Sequence, residues 1–400
     1  MPRRVGLTYQ GRGRVTGLTN GQLCEVGVTY PVLAKPASGY YFNGWRGAFY
    51  FNSPKAFFTM QDNTNVIARF TRTLLGLDTG TYQGVFGPLT NGPSPSIGLL
   101  TIKVGANGIY SGRLNPVGAS YAIRGQFDST GQSVISGRLG TNTLILVLVL
   151  QAEGSEAIAG GYLDGHNASP LTLWRVQTYG PTNPAPLAGR YTFLLSPPLA
   201  ANNDLVDGSG FGTVTIDAKG GVLVNGVLAD GAPFTEKTAL LKGDRFPFYS
   251  TVKNGDTVAG LAGFDTNRAF TGSVKWLAPG FPGGTNQNTR LLGGPYLPPP
   301  AARLFPWTNG FITLSGDSLA TPLTTPVTLQ DDGTLAVAAN TIGLHLTVTN
   351  ATGWLDGGFT HPLTHSNLPL RGVILQGGSN TGGFFPGAGR AGRLEIRAAP

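Results

Sequence analysis

Short segments in which apolar and polar residues alternate recur along most of the chain. In LLTIKV, Leu100, Ile102 and Val104 lie on one face, and the threonine and lysine between them lie on the other. Successive side chains of a β-strand point to opposite faces, so this alternation is typical of strands with one buried side. Gly, Asn, Asp and Pro interrupt the segments roughly every ten residues, as turns between strands require. The pattern predicts an all-β protein.

Eight such segments follow one another in the first large block of the chain. They comprise residues 80–86, 97–105, 108–114, 118–127, 132–138, 143–151, 156–163 and 169–176. Strands in this number, joined by hairpins, are enough to close an up-and-down barrel, which leaves no strand edge exposed. A two-sheet sandwich has the same periodicity, so both arrangements remain open. A barrel of this size is either filled by side chains or holds one small ligand.

The block recurs with a spacing of about 100 residues. The segment 101–127 resembles 213–234 and, more loosely, 346–376. The blocks open with GTYQGVF, AGRYTFLL and GGPYLPP, and they close with TLWRV, GSVKW and GRLEI. Proline-rich joints at 181–186 and 295–306 favour extended chain between blocks or at their edges. The predicted β-barrel or sandwich repeats, of about 90 to 110 residues each, are 75–181, 182–279 and 280–400.

Composition supports the all-β class and excludes others. The 400 residues include 61 Gly and 29 Pro, and only 12% are charged, so long helices have few of the residues that favour them. Apolar residues make up 40%, which excludes a mainly disordered chain. The net charge is +8, but no run of basic residues resembles a nucleic-acid-binding stripe. The densest group, Arg3, Arg4, Arg12 and Arg14, either attracts an anionic surface or consists of solvated strand positions; we favour the second interpretation.

Cysteine content and hydropathy limit the classes further. The single cysteine, Cys24, excludes an internal disulfide, and its context QLCEV predicts a half-buried strand position. The longest apolar run, LILVLVL at 144–150, is too short for a transmembrane helix. The N-terminus MPRRVGLTY lacks the apolar stretch of a secretory signal, so we expect the chain to be a fragment if the protein is exported.

The first 70 residues follow a different pattern. QGRGRVTG (10–17) reads as a glycine hairpin, CEVGVTYPVLAKPASGYYFNGWRG (24–47) has a Gly-Tyr-x-Phe-x-Gly-Trp-x-Gly centre, and FFTMQDNTNVIARF (57–70) closes with a Val-x-Ala-x-Phe strand. With these motifs in this order, residues 5–70 resemble the divergent internalin-type B-repeat, or bacterial repeat domain, a small β-module of bacterial surface proteins. The sequence departs from that family at Tyr30-Pro31-Val32-Leu33, which alternates less simply.

The resemblance implies a B-repeat-like β-module at 1–74 and an extracellular or cell-surface location. The remainder of the chain has a general resemblance to glycine-rich β-barrel repeats of bacterial secreted and surface proteins. The complete expectation is an all-β chain in which one small module precedes three antiparallel β-barrel or sandwich repeats.

Aromatic residues crowd the centre of the first module. Tyr40, Tyr41, Phe42 and Trp45 lie between glycines in ASGYYFNGWRG. They form either a stacking platform for sugars or bases, or the core of a small module. Strict alternation predicts that Tyr40 and Phe42 face one side and that Tyr41 and Trp45 face the other. Because a short module has little else to bury, we favour core packing, with Tyr41 the aromatic left exposed.

Patterns that suggest catalysis, cofactors or metals have simpler structural explanations. GAGRAG at 387–392 has the spacing G-x-G-x-x-G but precedes only a final strand, so we interpret it as a turn. His361 and His365 in HPLTH flank a loop-like segment, for which a solvated loop is favoured over a metal site. The acids of YLDGHN, LADGA and QDDGT precede glycines, as in hairpin turns, and G-x-S-x-G does not occur. We predict no catalytic residue, no cofactor and no metal site.

Tryptophans near strand ends either pack or line a glycan groove. Trp174 and Trp276 occupy similar positions in block-closing strands, which favours packing. Trp307 and Trp354 lie beside turns. Together with Tyr41 they are the candidates for contact with a ligand, although we favour packing for them as well.

We expect a non-catalytic modular segment of an exported bacterial protein that acts as a cell-surface scaffold, stalk or adhesin. The alternative is a β-barrel module that binds a glycan or small ligand, accessory to an enzyme elsewhere in the full-length protein. Surface glycans or other proteins are the expected partners. Neither nucleic acid nor a transmembrane segment is expected.

Overall fold

The computed structural model of the protein describes most of the chain. The described residues are 1–75, 79–87, 97–139, 142–151, 155–164, 167–197, 207–252, 255–278, 285–299, 304–317, 319–330, 334–338, 340–376, 381–387 and 391–399. Within these residues the chain forms 32 strands and no helix. The all-β class predicted from the sequence is confirmed.

Residues 1–74 fold into a small module. Its strands are β1 (Pro2–Arg4), β2 (Gly6–Gln10), β3 (Gly13–Thr16), β4 (Leu23–Glu25), β5 (Thr29–Pro36), β6 (Tyr40–Gly47), β7 (Lys55–Thr59) and β8 (Asn65–Arg72). One sheet has the order β3-β5-β7, a second has the order β2-β8-β6, and β1 pairs with β4. Apolar side chains of both larger sheets form one core, to which Val32, Trp45, Met60 and Phe70 belong.

A β-bulge in β6 places Phe42 and Trp45 on the same side of the strand. The pairing of β6 with β8 shifts between these two residues. Gly44 lies within the shift and has a φ of +104°, a conformation that glycine adopts without strain. The rings of Phe42 and Trp45 are 5.2 Å apart, and Trp45 is completely buried. The prediction of strict alternation is therefore wrong here, because Trp45 faces the core with Phe42 and not the side of Tyr41.

Residues 80–175 form an antiparallel sheet that closes almost completely into a barrel. Its strands are β9 (Gly80–Phe86), β10 (Gly98–Val104), β11 (Ile109–Pro116), β12 (Tyr121–Gln126), β13 (Gln132–Leu139), β14 (Asn142–Leu150), β15 (Ala157–Asp164) and β16 (Asn167–Arg175). Consecutive strands pair, and β9 also pairs with β16, while β12 and β13 share no ladder among the described residues. This order is that of an up-and-down barrel rather than a sandwich. All eight strands predicted for this block are present.

Two further sheets repeat this architecture. The second comprises β17 (Gly189–Ser196), β18 (Gly210–Ile216), β19 (Gly221–Val227), β20 (Pro233–Ala239), β21 (Arg245–Thr251), β22 (Thr257–Phe264), β23 (Phe270–Ala278) and β24 (Thr285–Pro295). The third comprises β25 (Asn309–Ser315), β26 (Leu323–Leu329), β27 (Leu335–Val337), β28 (His345–Thr349), β29 (Trp354–Thr360), β30 (Asn367–Val373), β31 (Thr381–Phe385) and β32 (Gly392–Ala398). In both, the first strand pairs with the last. The predicted series of one small module and three barrels is confirmed.

The strand that closes the second barrel lies beyond the predicted block boundary. β24 hydrogen-bonds with both β17 and β23, so the second sheet extends past the division expected between 279 and 280. GGPYLPP, interpreted above as the opening of the third block, begins within this closing strand. Proline-rich sequence marks a joint after a strand as readily as a joint before one, which explains the difference.

The third barrel has its gap one strand earlier than the other two. Its order is β27-β26-β25-β32-β31-β30-β29-β28, so its third and fourth strands share no ladder among the described residues. The segment 346–376 begins in the fourth strand of its barrel, whereas 101–127 and 213–234 begin in the second. The loose equivalence predicted for 346–376 is therefore wrong, because a strand, a glycine turn and a strand recur at many hairpins. Trp174 and Trp276 are likewise not equivalent, since they lie on the eighth and seventh strands of their barrels.

Apolar side chains fill the interior of each barrel. Alternate residues of the strands point inward and form three large buried clusters. In the first barrel the rings of Phe86 and Tyr162 are 4.4 Å apart. In the second, Phe193 and Phe248 meet edge to face at 5.6 Å. The apolar periodicity read from the sequence thus serves core packing in all three repeats.

Candidate functional site

The three aromatic residues predicted to contact a ligand lie in three different environments. Tyr41 is half-buried and pairs with Thr71 across β6 and β8. Trp307 is half-buried and lies 4.5 Å from the Phe305 ring, against the core of the third barrel. Trp354 packs against the core of the second barrel. They therefore do not form a shared platform for a sugar or a base.

Trp354 joins the third barrel to the second. Its ring meets Phe211 of β18 edge to face, with 5.2 Å between centroids. Phe384 of β31 lies 6.0 Å from the same Phe211 ring. Val373 and Leu375, also from the third barrel, belong to the buried apolar cluster of the second. The third barrel therefore contributes apolar side chains to the core cluster of the second, while its own interior forms a separate cluster.

Hydrogen bonds, one of them buried, fix the orientation of this junction. Thr192 on β17 donates its hydroxyl hydrogen to the carbonyl oxygen of Ile374 at 2.6 Å. Gln376 binds the backbone of Leu297 twice, since its Oε1 accepts from the amide at 2.7 Å and its Nε2 donates to the carbonyl at 2.9 Å. Hydrogen bonds are directional, so these contacts restrict rotation more than apolar packing alone does.

The junction between the first and second barrels combines a small buried apolar cluster, which includes Leu99 and Ala259, with charged contacts. Glu156 binds Arg175 of its own barrel at 3.1 Å and Lys242 of the second barrel at 2.7 Å. The hydrogen bond from Lys242, with the positive charges of Lys242 and Arg175, lowers the pKa of Glu156. The guanidinium of Arg245 lies 3.9 Å from the centre of the Trp174 ring, a cation–π contact across the same junction.

Two carboxyl groups meet at one end of the second barrel. Asp230 follows β19 and Asp256 precedes β22, and their side chains hydrogen-bond to each other. Asp256 is only 2% exposed, and Trp276 Nε1 donates to its Oδ2 at 3.3 Å. Burial, followed by the hydrogen bond and the charge of Asp230, raises the pKa of Asp256 to about 6. Below that pH Asp256 carries a proton.

A narrow cleft adjoins Trp276 at this end of the barrel. Its lining includes Leu195, Leu228, Gln287 and Thr289. The cleft has a volume of about 10 Å³, which is room for a single water molecule. Gln287 Oε1 is buried there and accepts no hydrogen bond from the described residues. The cleft as it stands therefore suits a water molecule and is too small for a sugar ring.

The acid pair was not predicted from the sequence. Asp230 was explained by its Asp-Gly turn, and its Oδ1 does accept from the amide of Ala232 at 2.9 Å. Asp256 was not singled out. In an up-and-down barrel every second turn lies at the same end, so the β19–β20 and β21–β22 turns are neighbours. The sequence signal that could have revealed this pair is the presence of an acid in each of these two turns.

We expect the stability of the second barrel to fall as the pH rises from about 4 to about 7. Asp256 and Glu236 keep their protons in the folded state up to pKa values of about 6 and about 7, mainly because burial disfavours their charged forms. In the unfolded chain both lose their protons at lower pH, so their contribution is complete below that pH and is lost as the pH passes the folded values. Asp256→Asn should remove its part, on the order of 2 kcal/mol.

Urea unfolding followed by tryptophan fluorescence at pH 4.5 and 7.5 measures this difference. The control is Asp265→Asn, which changes an exposed turn carboxylate at the other end of the same barrel. The control should keep the wild-type pH dependence. A pH dependence that is unchanged in Asp256→Asn would show that buried Asp256 does not titrate in this range.

His361 organises a turn from inside the third barrel. It is 1% exposed, and its Nδ1 accepts the amide hydrogens of Leu363 at 3.3 Å and Thr364 at 3.2 Å. The predicted solvated loop is therefore wrong for His361, whereas His365 is exposed. The imidazole therefore has a structural role, because backbone amides of the turn need acceptors and it provides one.

Clusters of potential metal ligands and membrane-spanning helices are both absent from the described residues. Across those residues, no three His, Cys, Asp or Glu side chains form a group that holds a metal ion. The same part of the chain contains no helix with the length and hydropathy of a bilayer span.

Cys24 is buried, and burial raises the pKa of its thiol. Residues 388–390 of GAGRAG and the acids Asp331 and Asp332 lie outside the described residues.

The eight-stranded module, with its glycine-flanked aromatic strand and buried Trp45, corresponds to one known family. Residues 4–74 match the family model of the divergent InlB B-repeat domain. The resemblance inferred from the motifs of residues 5–70 is confirmed. The match covers the B-repeat module and none of the barrels.

The comparisons with solved structures extend over nearly the whole chain but are weak. Solved structures similar to the chain include a transferrin binding protein B double mutant from Haemophilus parasuis Hp5, with 9% identity, 96% of this chain and 84% of that chain covered, and a TM-score of 0.20. Transferrin binding protein B from serogroup B Neisseria meningitidis has 11% identity, coverages of 97% and 86%, and a TM-score of 0.21. An endo-1,5-alpha-L-arabinanase from Thermotoga petrophila RKU-1 has 12% identity, full coverage of both chains and a TM-score of 0.22. Likeness this low carries no argument about function. No curated protein matches the chain.

Proposed function

We propose that the chain is a non-catalytic segment of an exported bacterial protein and serves as a rigid spacer in a cell-surface scaffold, stalk or adhesin. Two observations support the proposal. Residues 4–74 match the B-repeat family model, and the interiors of the three barrels are occupied by their own apolar side chains. Interiors packed in this way use their apolar surface for stability rather than for a ligand.

The apolar junction between the second and third barrels carries the proposal. Domains that follow one another in a chain move relative to each other by default, unless a large apolar interface joins them. Here Phe211 of one barrel packs against Trp354 and Phe384 of the other, and a buried hydrogen bond from Thr192 helps to fix the orientation. A spacer needs such stiffness, since a flexible chain of domains does not hold a terminal module at a set distance.

Two measurements test the two parts of the proposal. Small-angle X-ray scattering of the full chain should fit one rigid body for the second and third barrels, and a profile of freely jointed domains would contradict the spacer. Antibodies against the barrels should label intact cells of the bacterium that produces the protein. Labelling that requires permeabilised cells would reject the exported location.

A further inference from the structure

The B-repeat module carries almost all of the net positive charge. Residues 1–74 contain nine Lys or Arg and two acidic residues, a net charge of +7. Residues 75–400 contain 19 Lys or Arg and 18 acidic residues, a net charge of +1. The electrostatic attraction between this chain and a polyanion is therefore concentrated in the B-repeat module.

Three of these cations lie on one face of the β3-β5-β7 sheet. Arg14 of β3 is directly opposite Lys35 of β5. Lys55 of β7 is opposite Leu33, which lies two residues before Lys35 and so on the same face. All three charged residues are exposed. Because neighbouring strands are about 4.8 Å apart, these cations lie on three adjacent strands within a width of roughly 10 Å.

Carboxylates do not neutralise this face. The two acids of the module are Glu25 on β4 and Asp62 after β7, and Asp62 pairs with an arginine of β1 at 3.1 Å. Within the described part of the chain, Arg14, Lys35 and Lys55 form no ion pair with a carboxylate. Like charges directly opposite each other on a sheet are destabilising. An anion bound at Arg14 and Lys35 would relieve that repulsion.

An aromatic ring lies on the same face. Phe57 follows Lys55 by two residues on β7, is opposite Pro31, and is 62% exposed. The hydroxyls of Thr29 and Thr59 hydrogen-bond to each other at 3.0 Å across the same two strands. A sugar ring has an apolar C–H face that stacks on an aromatic ring and hydroxyls that bind polar side chains. A flat surface with one exposed ring, hydroxyls and cations matches this chemistry.

We propose that this basic sheet face, defined by Arg14, Lys35, Lys55 and Phe57, binds an acidic polysaccharide. The cations pair with its carboxylate or sulfate groups, and Phe57 stacks on a sugar ring. Insertion into a lipid surface requires a broad apolar face, and binding of single-stranded nucleic acid uses a series of rings for successive bases. This face has one exposed ring, which favours the polysaccharide. The proposal goes beyond the spacer function of the barrels and does not depend on it.

Binding of the full chain to polygalacturonate tests the proposal. The variant Arg14→Gln/Lys35→Gln/Lys55→Gln should bind about ten-fold more weakly at low salt, a loss of about 1.4 kcal/mol shared among three exposed ion pairs. Wild-type affinity should fall as salt is added, and the variant should lose most of that dependence. Phe57→Ala should weaken binding at every salt concentration and leave the salt dependence unchanged.

A matched variant controls for net charge. Lys103→Gln/Lys219→Gln/Lys237→Gln removes the same charge from exposed positions on the first two barrels. It should bind polygalacturonate as the wild type does. Equal losses in the two glutamine variants would overturn the proposal.

Two further comparisons separate folding from binding and one polyanion from another. The charge-conserving variant Arg14→Lys/Lys35→Arg/Lys55→Arg should retain binding, and its failure to bind while folded would reject pairing by charge. Tighter binding to phosphatidylserine vesicles or to a single-stranded oligonucleotide than to polygalacturonate would also overturn the proposal.

Discussion

Trp45→Ala is expected to unfold the B-repeat module while the three barrels stay folded. Trp45 is completely buried, and its ring lies 5.2 Å from Phe42 and 5.8 Å from Phe49. Its Nε1 donates to the carbonyl oxygen of Ser53 at 3.1 Å. Removing a buried tryptophan costs about 3 to 5 kcal/mol. A module of this size has a small core, so that loss is comparable with its whole stability.

Hydrogen exchange of the full chain, read by mass spectrometry of peptides, measures this effect. Peptides from 1–74 should lose protection, and peptides from the barrels should keep it. Tyr41→Ala is the control, because Tyr41 lies on the same strand but is half-buried and not part of the module core. Its cost should be about 1 kcal/mol or less. If Tyr41→Ala disrupted the module as much as Trp45→Ala, the result would contradict the claim that the bulge turns Trp45, but not Tyr41, into the core.

Trp354→Ala is expected to separate the unfolding of the second and third barrels. In the wild type the apolar junction should make these barrels unfold in one transition. The substitution leaves a cavity against Phe211 and removes about 3 kcal/mol from the junction. Differential scanning calorimetry of the full chain should then resolve separate transitions for the second and third barrels, which unfold together in the wild type.

Trp307→Ala provides the matched control. Trp307 is also half-buried and belongs to the same barrel, but it packs on Phe305 and the core of the third barrel. Its loss should lower the stability of the third barrel. The second and third barrels should still unfold in one transition. Separate transitions in the wild type, or in both variants, would contradict a junction that depends on Trp354.

Strands were predictable because their signal is local. Leu100, Ile102 and Val104 alternate with polar residues, and all three are buried in the first barrel. Glycine-containing turns separated such segments, so the eight strands of the first barrel could be counted before their pairing was known. The B-repeat module could be assigned because its motifs are short, ordered and close together in the chain.

Residues whose role depends on another strand were predicted less well. The side of β6 on which Trp45 lies depends on the bulge at Gly44, which alternation does not encode. Trp354 lies beside a turn in the sequence, yet Phe211 of the preceding barrel covers its ring. Asp256 resembles an ordinary turn acid until the barrel brings it to Asp230.

The order of residues along the chain was thus sufficient for the all-β class, for most strands and for the B-repeat module, because a period of two and a turn are set by adjacent residues. Three-dimensional pairing was needed to learn which strand closes each barrel, how the barrels join, and that Arg14, Lys35, Lys55 and Phe57 share one face. Those features arise from contacts between residues far apart in the chain, whose energies depend on distance in space and not on separation in sequence.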